Sequence, residues 1–363
     1  MDKIKELFIP NHARIIVISD IHGELELFQR LLDKVHFSEG DYLIINGDLC
    51  EKGSNSMGVV QYIMELEANN PKVHVVEGNC DTLVEFLLSE DPDLINYLST
   101  RKHSIMNEWL DKIGYMLTSE SRIQEVKEQL WTYFSKEIKW LTELPTAIET
   151  DHYIFVHAGL EDIENWKDTS RNAAIAIPEF LLKSHQANKY VIVGHWPVGN
   201  YTSQTLSNNP IINQEKKIIA NDGGNNVKLS GQLNAFIITP SSSGDIFSHT
   251  YVDHFPTTKV IKEFKADPSW TGSISYVNYA LNPIEKGEHF TLCRQPGTNQ
   301  LLYVKNEYII QKDTSFEAKE EVSCTQISVE KEDIVSILDD SCAAYALIKK
   351  DGFVGWVPKE VLI

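Results

Sequence analysis

Six side chains able to bind a divalent metal stand just beyond five short apolar runs. Asp20 and His22, in Asp20-Ile21-His22-Gly23, follow the run from Arg14 to Ser19, and Asp48, in Gly47-Asp48, follows Tyr42 to Asn46. Asn79, in Gly78-Asn79-Cys80-Asp81, follows Val73 to Glu77. His157, in His157-Ala158-Gly159, follows Tyr153 to Val156, and His195, in Gly194-His195, follows Tyr190 to Val193. Two Asp, one Asn and three His make a mixed oxygen and imidazole set that suits Mn, Fe or Zn. The set is large enough for two ions sharing one carboxylate. Two ions roughly 3.5 to 4 Å apart can hold a bridging hydroxide and clamp a phosphoryl group for in-line attack. Each motif is weak alone. Their order, with every one at the end of an apolar run, carries the reading.

The runs that must position these residues are near-continuously apolar, as in strands covered on both faces. Ligands of an open α/β sheet bind outside the carboxyl ends of its strands, where all six residues are expected to converge. Phe28, Leu31, Leu32 and Val35 fall at i, i+3, i+4 and i+7 and predict an amphipathic helix between the first two strands. Met106, Trp109, Leu110 and Ile113 predict a second helix, and Ile123, Val126, Leu130 and Phe134 a third. These two form a helical cap inserted at about 92–145. A sixth run, Lys217 to Ala220, leads into Asn221-Asp222-Gly223-Gly224. Leu233 to Ile238 and Ile246 to Phe255 read as strands around a Pro240 to Gly244 turn.

Past Pro256 the helical signal stops and an internal repeat begins. Leu301 to Ile310 aligns with Val354 to Ile363, and Lys286 to Leu292 with Lys331 to Ile337. Two small all-β units, 257–312 and 313–363, follow a first domain of 1–256. The GWVP stretch ending at Pro358 resembles bacterial SH3-like domains, which implies small barrels. Tyr303 and Trp356 are then expected either to line a peptide groove for a partner or to fill a barrel core.

The 363 residues carry 33 Lys plus Arg against 52 Asp plus Glu, a net charge of -19 that argues against a broad nucleic-acid surface. No apolar run reaches the ~18 residues that cross a bilayer. No secretory signal is apparent at the start, so a cytoplasmic location away from membranes is expected. Five scattered cysteines suggest reduced, structural thiols.

The blocks DIHG, GDLCEKG, GNCD, HAG and GHWP, in this order, resemble those of the calcineurin-like metallophosphoesterases. Gly47 to Gly53 is similar to a block of the phosphoprotein phosphatases and of bacterial diadenosine tetraphosphatases. Trp140 to Pro145, Asn221 to Gly224 and Gly231 to Leu233 extend the likeness to that branch. The resemblance covers about 14–240 and implies an α/β fold, a metallophosphoesterase β-sandwich flanked by helices. It also implies that Asp20, His22 and Asp48 bind one metal, and Asp48, Asn79, His157 and His195 the other, most simply two Mn ions with Fe or Zn as alternatives. It further implies hydrolysis of a phosphorylated protein or a small phosphoester, with the reaction of a serine/threonine protein phosphatase placed first. Cleavage of dinucleoside polyphosphates or phosphodiesters is the alternative, and an SH3-type adaptor with a vestigial metal site is the non-enzymatic one.

Two residues depart from the family pattern. Lys52 replaces an Arg, giving a point charge where a planar fork would grip phosphate. Cys80 replaces the His thought to protonate the leaving oxygen, although the Asp that would orient that His is present as Asp81. A thiol with a reference pKa of about 8.5 is a poorer acid near neutrality, so anhydrides and aryl esters would lose least, unless Cys80 only fills space and water or His22 supplies the proton. Asp222 is expected to support His195 from behind. Arg101, Lys102 and Arg122 could meet an anionic part of a substrate or be solvated cap charges, and His152 is expected at the surface.

Overall fold

The computed structural model describes residues 1–242 and 244–363; Ser243, inside the expected Pro240 to Gly244 turn, lies outside the described residues. The chain divides into two units. The first holds 1–196, 210–226 and 233–252, and the second 197–209, 227–232 and 253–363.

The strands up to residue 252 are, in chain order, β1 (Ile4–Glu6), β2 (Ile15–Ile18), β3 (Tyr42–Asn46), β4 (Val73–Val76), β5 (Ala147–Glu149), β6 (Tyr153–Val156), β7 (Tyr190–Val193), β8 (Leu206–Ser207), β9 (Ile211–Asn213), β10 (Ile218–Ala220), β11 (Leu233–Thr239) and β12 (Ile246–Val252). One sheet runs β1-β5-β6-β7-β10-β9 and another β12-β11-β2-β3-β4. The strands that precede the site residues are parallel to their neighbours: β2 with β3 and β3 with β4, and likewise β6 with β7 and β7 with β10. Their carboxyl ends therefore point the same way within each sheet. Ile15, Val17 and Ile44 of one sheet share a buried cluster with Ile148, Phe155 and Ile192 of the other, which is the sandwich interior. Asn46 also joins the sheets, donating from Nδ2 to Val156 O at 3.0 Å and Ile192 O at 3.1 Å.

The opposite face of β2 and β3 packs against helices. These are α1 (Leu25–Lys34), α2 (Ser56–Asn69), α3 (Leu83–Leu88), α4 (Asp93–Thr100), α5 (Ile105–Lys112) and α6 (Ile123–Glu143). The three predicted apolar stripes are their buried faces, with Trp109 stacked on Phe134 at 5.1 Å. The backbone of α6 leaves helical geometry at Phe134. Glu108 of α5 accepts from Ser56 N and Met57 N at 2.8 and 2.7 Å, capping the N-terminus of α2 with a carboxylate. Among the described residues no helix is long and apolar enough to cross a membrane.

The second unit is all-β apart from short 3-10 turns. Leu301–Lys305 and Phe353–Pro358 are each a strand followed by a 3-10 turn, 306–308 and 359–361, so the repeated segments share local structure. Pairing does not respect the expected boundary at 312/313. The hairpin of Ile309–Lys312 with Ser315–Ala318 straddles it, and Thr257–Lys259 pairs with Ile334–Asp339 of the later segment. The expected boundary at 256/257 also differs from the contact division, which places 253–256, 197–209 and 227–232 with the C-terminal strands. Trp356 is a core residue, 1% exposed, with Nε1 donating to Ser323 O at 2.7 Å.

Candidate metal centre

Left-handed backbone concentrates where the site residues stand. Asp20 (φ 56), His22 (φ 49), Asp48 (φ 54) and His195 (φ 65) all adopt it, a conformation that costs on the order of 1 kcal/mol or more per residue and is enriched at functional sites. Each stands just past a strand end and turns its side chain into a shared space. Gly47 (φ 81) is required there twice over, because a Cβ would lie 2.7 Å from His157 Nδ1.

Within that space the reactive atoms are close. One oxygen or nitrogen each from Asp20, Asp48 and His157 lies within 4.8 Å of the others, as do one such atom from His22 and Asp48 and the Cys80 Sγ. Asp48 belongs to both groups. Its Oδ1 is 3.3 Å from His157 Nε2, and its Oδ2 is 3.7 Å from His22 Nε2. Asn79 reaches His157 Nε2 through Oδ1 at 3.2 Å, and the same amide position is 2.9 Å from His195 Nδ1.

The ring orientations fit a metal. His22 Nδ1 lies 3.1 Å from Cys50 O and His157 Nδ1 2.9 Å from Asn46 O, so a proton on each Nδ1 donates to a carbonyl and Nε2 faces inward, the orientation a metal-binding imidazole needs once any Nε2 proton is displaced. His195 bonds the Ala176 backbone. Burial brings His22 and His195 down to about 4, so both are neutral at pH 7. At His157 burial is overcome by Asp48, which lifts the ring to about 10.

The carboxylates show the same strain. Burial, then Asp222 and Asp48, raise Asp20 well above the ordinary carboxylate range. Burial also raises Asp222 to about 6. Asp48 goes the other way: despite burial, His157 and His22 hold it well below the usual range. Three buried carboxylates and an amide oxygen set between two imidazole nitrogens form a donor set that a divalent cation would satisfy.

The other expected residues fall as follows. Lys52 places Nζ 3.0 Å from His22 Nε2, and the surrounding acids raise it despite burial. Cys80 is 8% exposed, and burial raises its thiol well above the ordinary range. Asp81 accepts from Asp48 N, Leu49 N and Gly78 N at 2.9 Å each and from Cys50 N at 3.2 Å. Its contacts hold the Asp48 loop in place. Asp222 accepts from Gly224 N at 2.7 Å and faces Asp20, so it is the Ala176 backbone that holds the His195 ring. His195 N–H instead donates to Asp20 at 3.2 Å. Arg122 pairs with Glu125 on the surface, and His152 is exposed at the end of β6 opposite His157. Sequence reasoning missed Glu51, which is 2% exposed and accepts from Tyr97 and Ile105 N. Its adjacency to Lys52 was the available signal.

Curated and solved proteins resemble this chain over part of their length. Over 172 residues the chain is 26% identical to the symmetrical bis(5'-nucleosyl)-tetraphosphatase of Vibrio campbellii, covering 47% of this chain and 53% of that protein. Over 65 residues it is 46% identical to the enzyme of that name from Buchnera aphidicola, covering 18% and 23%. The chain thus spans about half, or less, of the length of these curated relatives. A solved serine/threonine phosphatase from Saccharomyces cerevisiae aligns over 70% of this chain and 85% of its own at 14% identity, with a TM-score of 0.46. The calcineurin-like phosphoesterase pattern matches residues 13–227, more than half of the sequence, and the chain belongs to that family.

Proposed function

We propose that this chain is a two-metal phosphoester hydrolase. The carrying observation is that Asp20, His22, Asp48, Asn79, His157 and His195, drawn from five strand ends of two sheets, face one buried space. Asp20, His22 and Asp48 would hold one ion, and Asp48, Asn79, His157 and His195 the other, with Mn the first choice and Fe or Zn the alternatives. The ions would supply Lewis acidity and an activated water for in-line attack. The chain's own residues do the rest. Asp48 is fixed at its backbone N–H by Asp81, the rings of His22 and His157 are oriented by carbonyls, and Lys52 adds positive charge beside the developing negative charge.

For the substrate we favour phosphoanhydrides of the dinucleoside polyphosphate type over phosphoseryl or phosphothreonyl proteins. The curated relatives bear that name, and Cys80, a thiol where an imidazole acid would serve an alkyl leaving group, disfavours alkyl monoesters. The test is hydrolysis of an aryl phosphate, diadenosine tetraphosphate and a phosphopeptide with Mn. Asp48→Asn is expected to lose about 100-fold or more on every substrate. Full activity of that variant overturns the hydrolase reading, and preference for the phosphopeptide overturns the substrate reading.

For the C-terminal strands, the SH3-like reading is supported by the doubled strand and 3-10 turn. A peptide partner would meet Tyr303, half-buried and stacked on Trp270 at 4.4 Å, rather than the core residue Trp356.

A further inference from the structure

The loop after β3 carries two successive left-handed residues, Glu51 (φ 69) and Lys52 (φ 66). The buried Glu51 carboxylate ties this loop to the cap. Oε2 accepts from Tyr97 Oη of α4 at 2.9 Å, and Oε1 accepts from Ile105 N at the start of α5 at 3.0 Å. Asn107 Nδ2 donates to Leu98 O and Arg101 O, each at 3.0 Å, closing the turn between the two helices. The segment Arg101-Lys102-His103 is thereby fixed beside the Lys52 loop. The Arg101 guanidinium also lies 4.9 Å over the Tyr97 ring.

Lys52, Asn79, Cys80, Arg101, Lys102 and His103 line a cavity of about 520 Å³. Glu51 is the one carboxylate in the lining, and its oxygens are turned into the hydrogen bonds above. In a chain of net charge -19 this is a local concentration of cations, and a cleft focuses such a field onto an anion. Lys52, Asn79 and Cys80 also stand at the metal centre, so the cavity continues the reaction site. It is too large and too cationic for a single phosphoryl group.

We propose that Arg101, Lys102 and His103 form a second phosphoryl-binding site that selects substrates with two or more adjacent phosphoryl groups. The proposal rests on the hydrolase reading above and adds the residues that set its substrate class. A phosphate chain is favoured over an acidic phosphopeptide because the apolar part of the lining is confined to Leu83 and the Tyr97 ring, too little to seat a peptide's side chains, while Lys52, Arg101 and Lys102 supply the charge.

The test uses non-hydrolysable probes, so it is independent of turnover. Methylphosphonate and methylenediphosphonate are titrated calorimetrically into the full-length protein loaded with Mn. The wild type is expected to bind the diphosphonate at least about tenfold more tightly, and Arg101→Ala/Lys102→Ala, on exposed positions, to lose most of that advantage. An advantage retained in the variant would come from chelation at the metals and overturns the proposal. So does a variant that loses affinity for an acidic phosphopeptide alone, which would assign the pocket to a protein substrate. If the wild type hydrolyses none of the substrates yet shows the binding difference, the hydrolase reading fails and the second site stands.

Discussion

Buried charge is handled in opposite ways by the strand-end loops of the first unit and by the all-β second unit. In the second unit each buried cation meets a carboxylate. Lys349 lies 3.0 Å from Asp253 and Lys305 lies 2.8 Å from Asp339, which Tyr308 also reaches at 2.8 Å. In the loops, Asp20, Asp48 and Asp222 face one another, and Lys52 and the His157 ring, 3.3 Å from Asp48, are the positive groups that reach them. The first arrangement is a stable end point. The second is costly by itself and becomes favourable when divalent cations enter, so the strain of the loops marks function where the pairs of the tail mark structure.

The largest expected effect breaks the satisfied side of this contrast. Asp253→Ala removes the carboxylate beside Lys349, which is 1% exposed and also donates to the neutral Gly231 carbonyl at 3.1 Å, and should cost about 3 to 5 kcal/mol in urea denaturation. If the loss is below about 1 kcal/mol, Lys349 has another outlet for its charge and the contrast is weaker than stated. Neutralising the loops should have the opposite sign. Asp20→Asn removes one member of a repelling set and should stabilise the metal-free protein by about 1 kcal/mol. The wild type should gain about 2.7 kcal/mol at Mn a hundredfold above its dissociation constant, and the variant should lose most of that gain. Thermal melts with and without Mn measure both. A variant that is destabilised without metal, yet keeps its Mn response, would show that Asp20 is structural.

A smaller change sharpens the chemistry. Cys80→His restores an imidazole where the resemblance places a proton donor. It should raise hydrolysis of an alkyl phosphomonoester by about tenfold, below the roughly 100-fold or more that an optimally placed general acid contributes. The gain on phosphoanhydrides should be slight, since their leaving groups need less proton help. Equal gains on both would remove leaving-group protonation as the explanation.

The comparison also explains what the sequence disclosed. Asp20, His22, Asp48, Asn79, His157 and His195 were legible because a parallel strand announces itself as an apolar run, and its end is the next residue or two. The strands β1 and β5 were not, being three residues long, Ile-Lys-Glu and Ala-Ile-Glu, each with a charged end. Asp81 reads as part of a catalytic block in the linear motif. Its real partners are backbone N–H groups of a loop some 30 residues away, which carry no side-chain signal. Glu51 was overlooked for a related reason, since its partners come from α4 and α5 in the cap. In the tail the repeat was visible because both copies form the same local structure. The unit boundary was not, because the pairing of Thr257–Lys259 with Ile334–Asp339 joins segments some 77 residues apart, a relation local patterns do not encode.

The smallest predicted effect concerns pH and the tail's second pair. Lys305, Ser341 and Tyr308 all donate to Asp339, and they hold it far below the ordinary carboxylate range despite burial. A carboxyl whose folded pKa is depressed contributes stability that is fully present above its unfolded value, about 3.9, and lost as pH falls toward the folded one. Asp339→Asn keeps the shape and removes the charge. It should therefore destabilise the strands Ile334–Asp339 and Tyr345–Lys350 by about 1 kcal/mol at pH 7, a figure reduced for solvent screening of a partly exposed group. The difference between variant and wild type should shrink steadily as the pH is lowered below 4. Hydrogen exchange on the amides of these strands, read at pH 7 and under acid conditions, follows it directly. A difference that stays constant with pH would mean that Asp339 acts through its shape and hydrogen bonds alone, and that the tail's buried pairs owe their stability to packing rather than to charge.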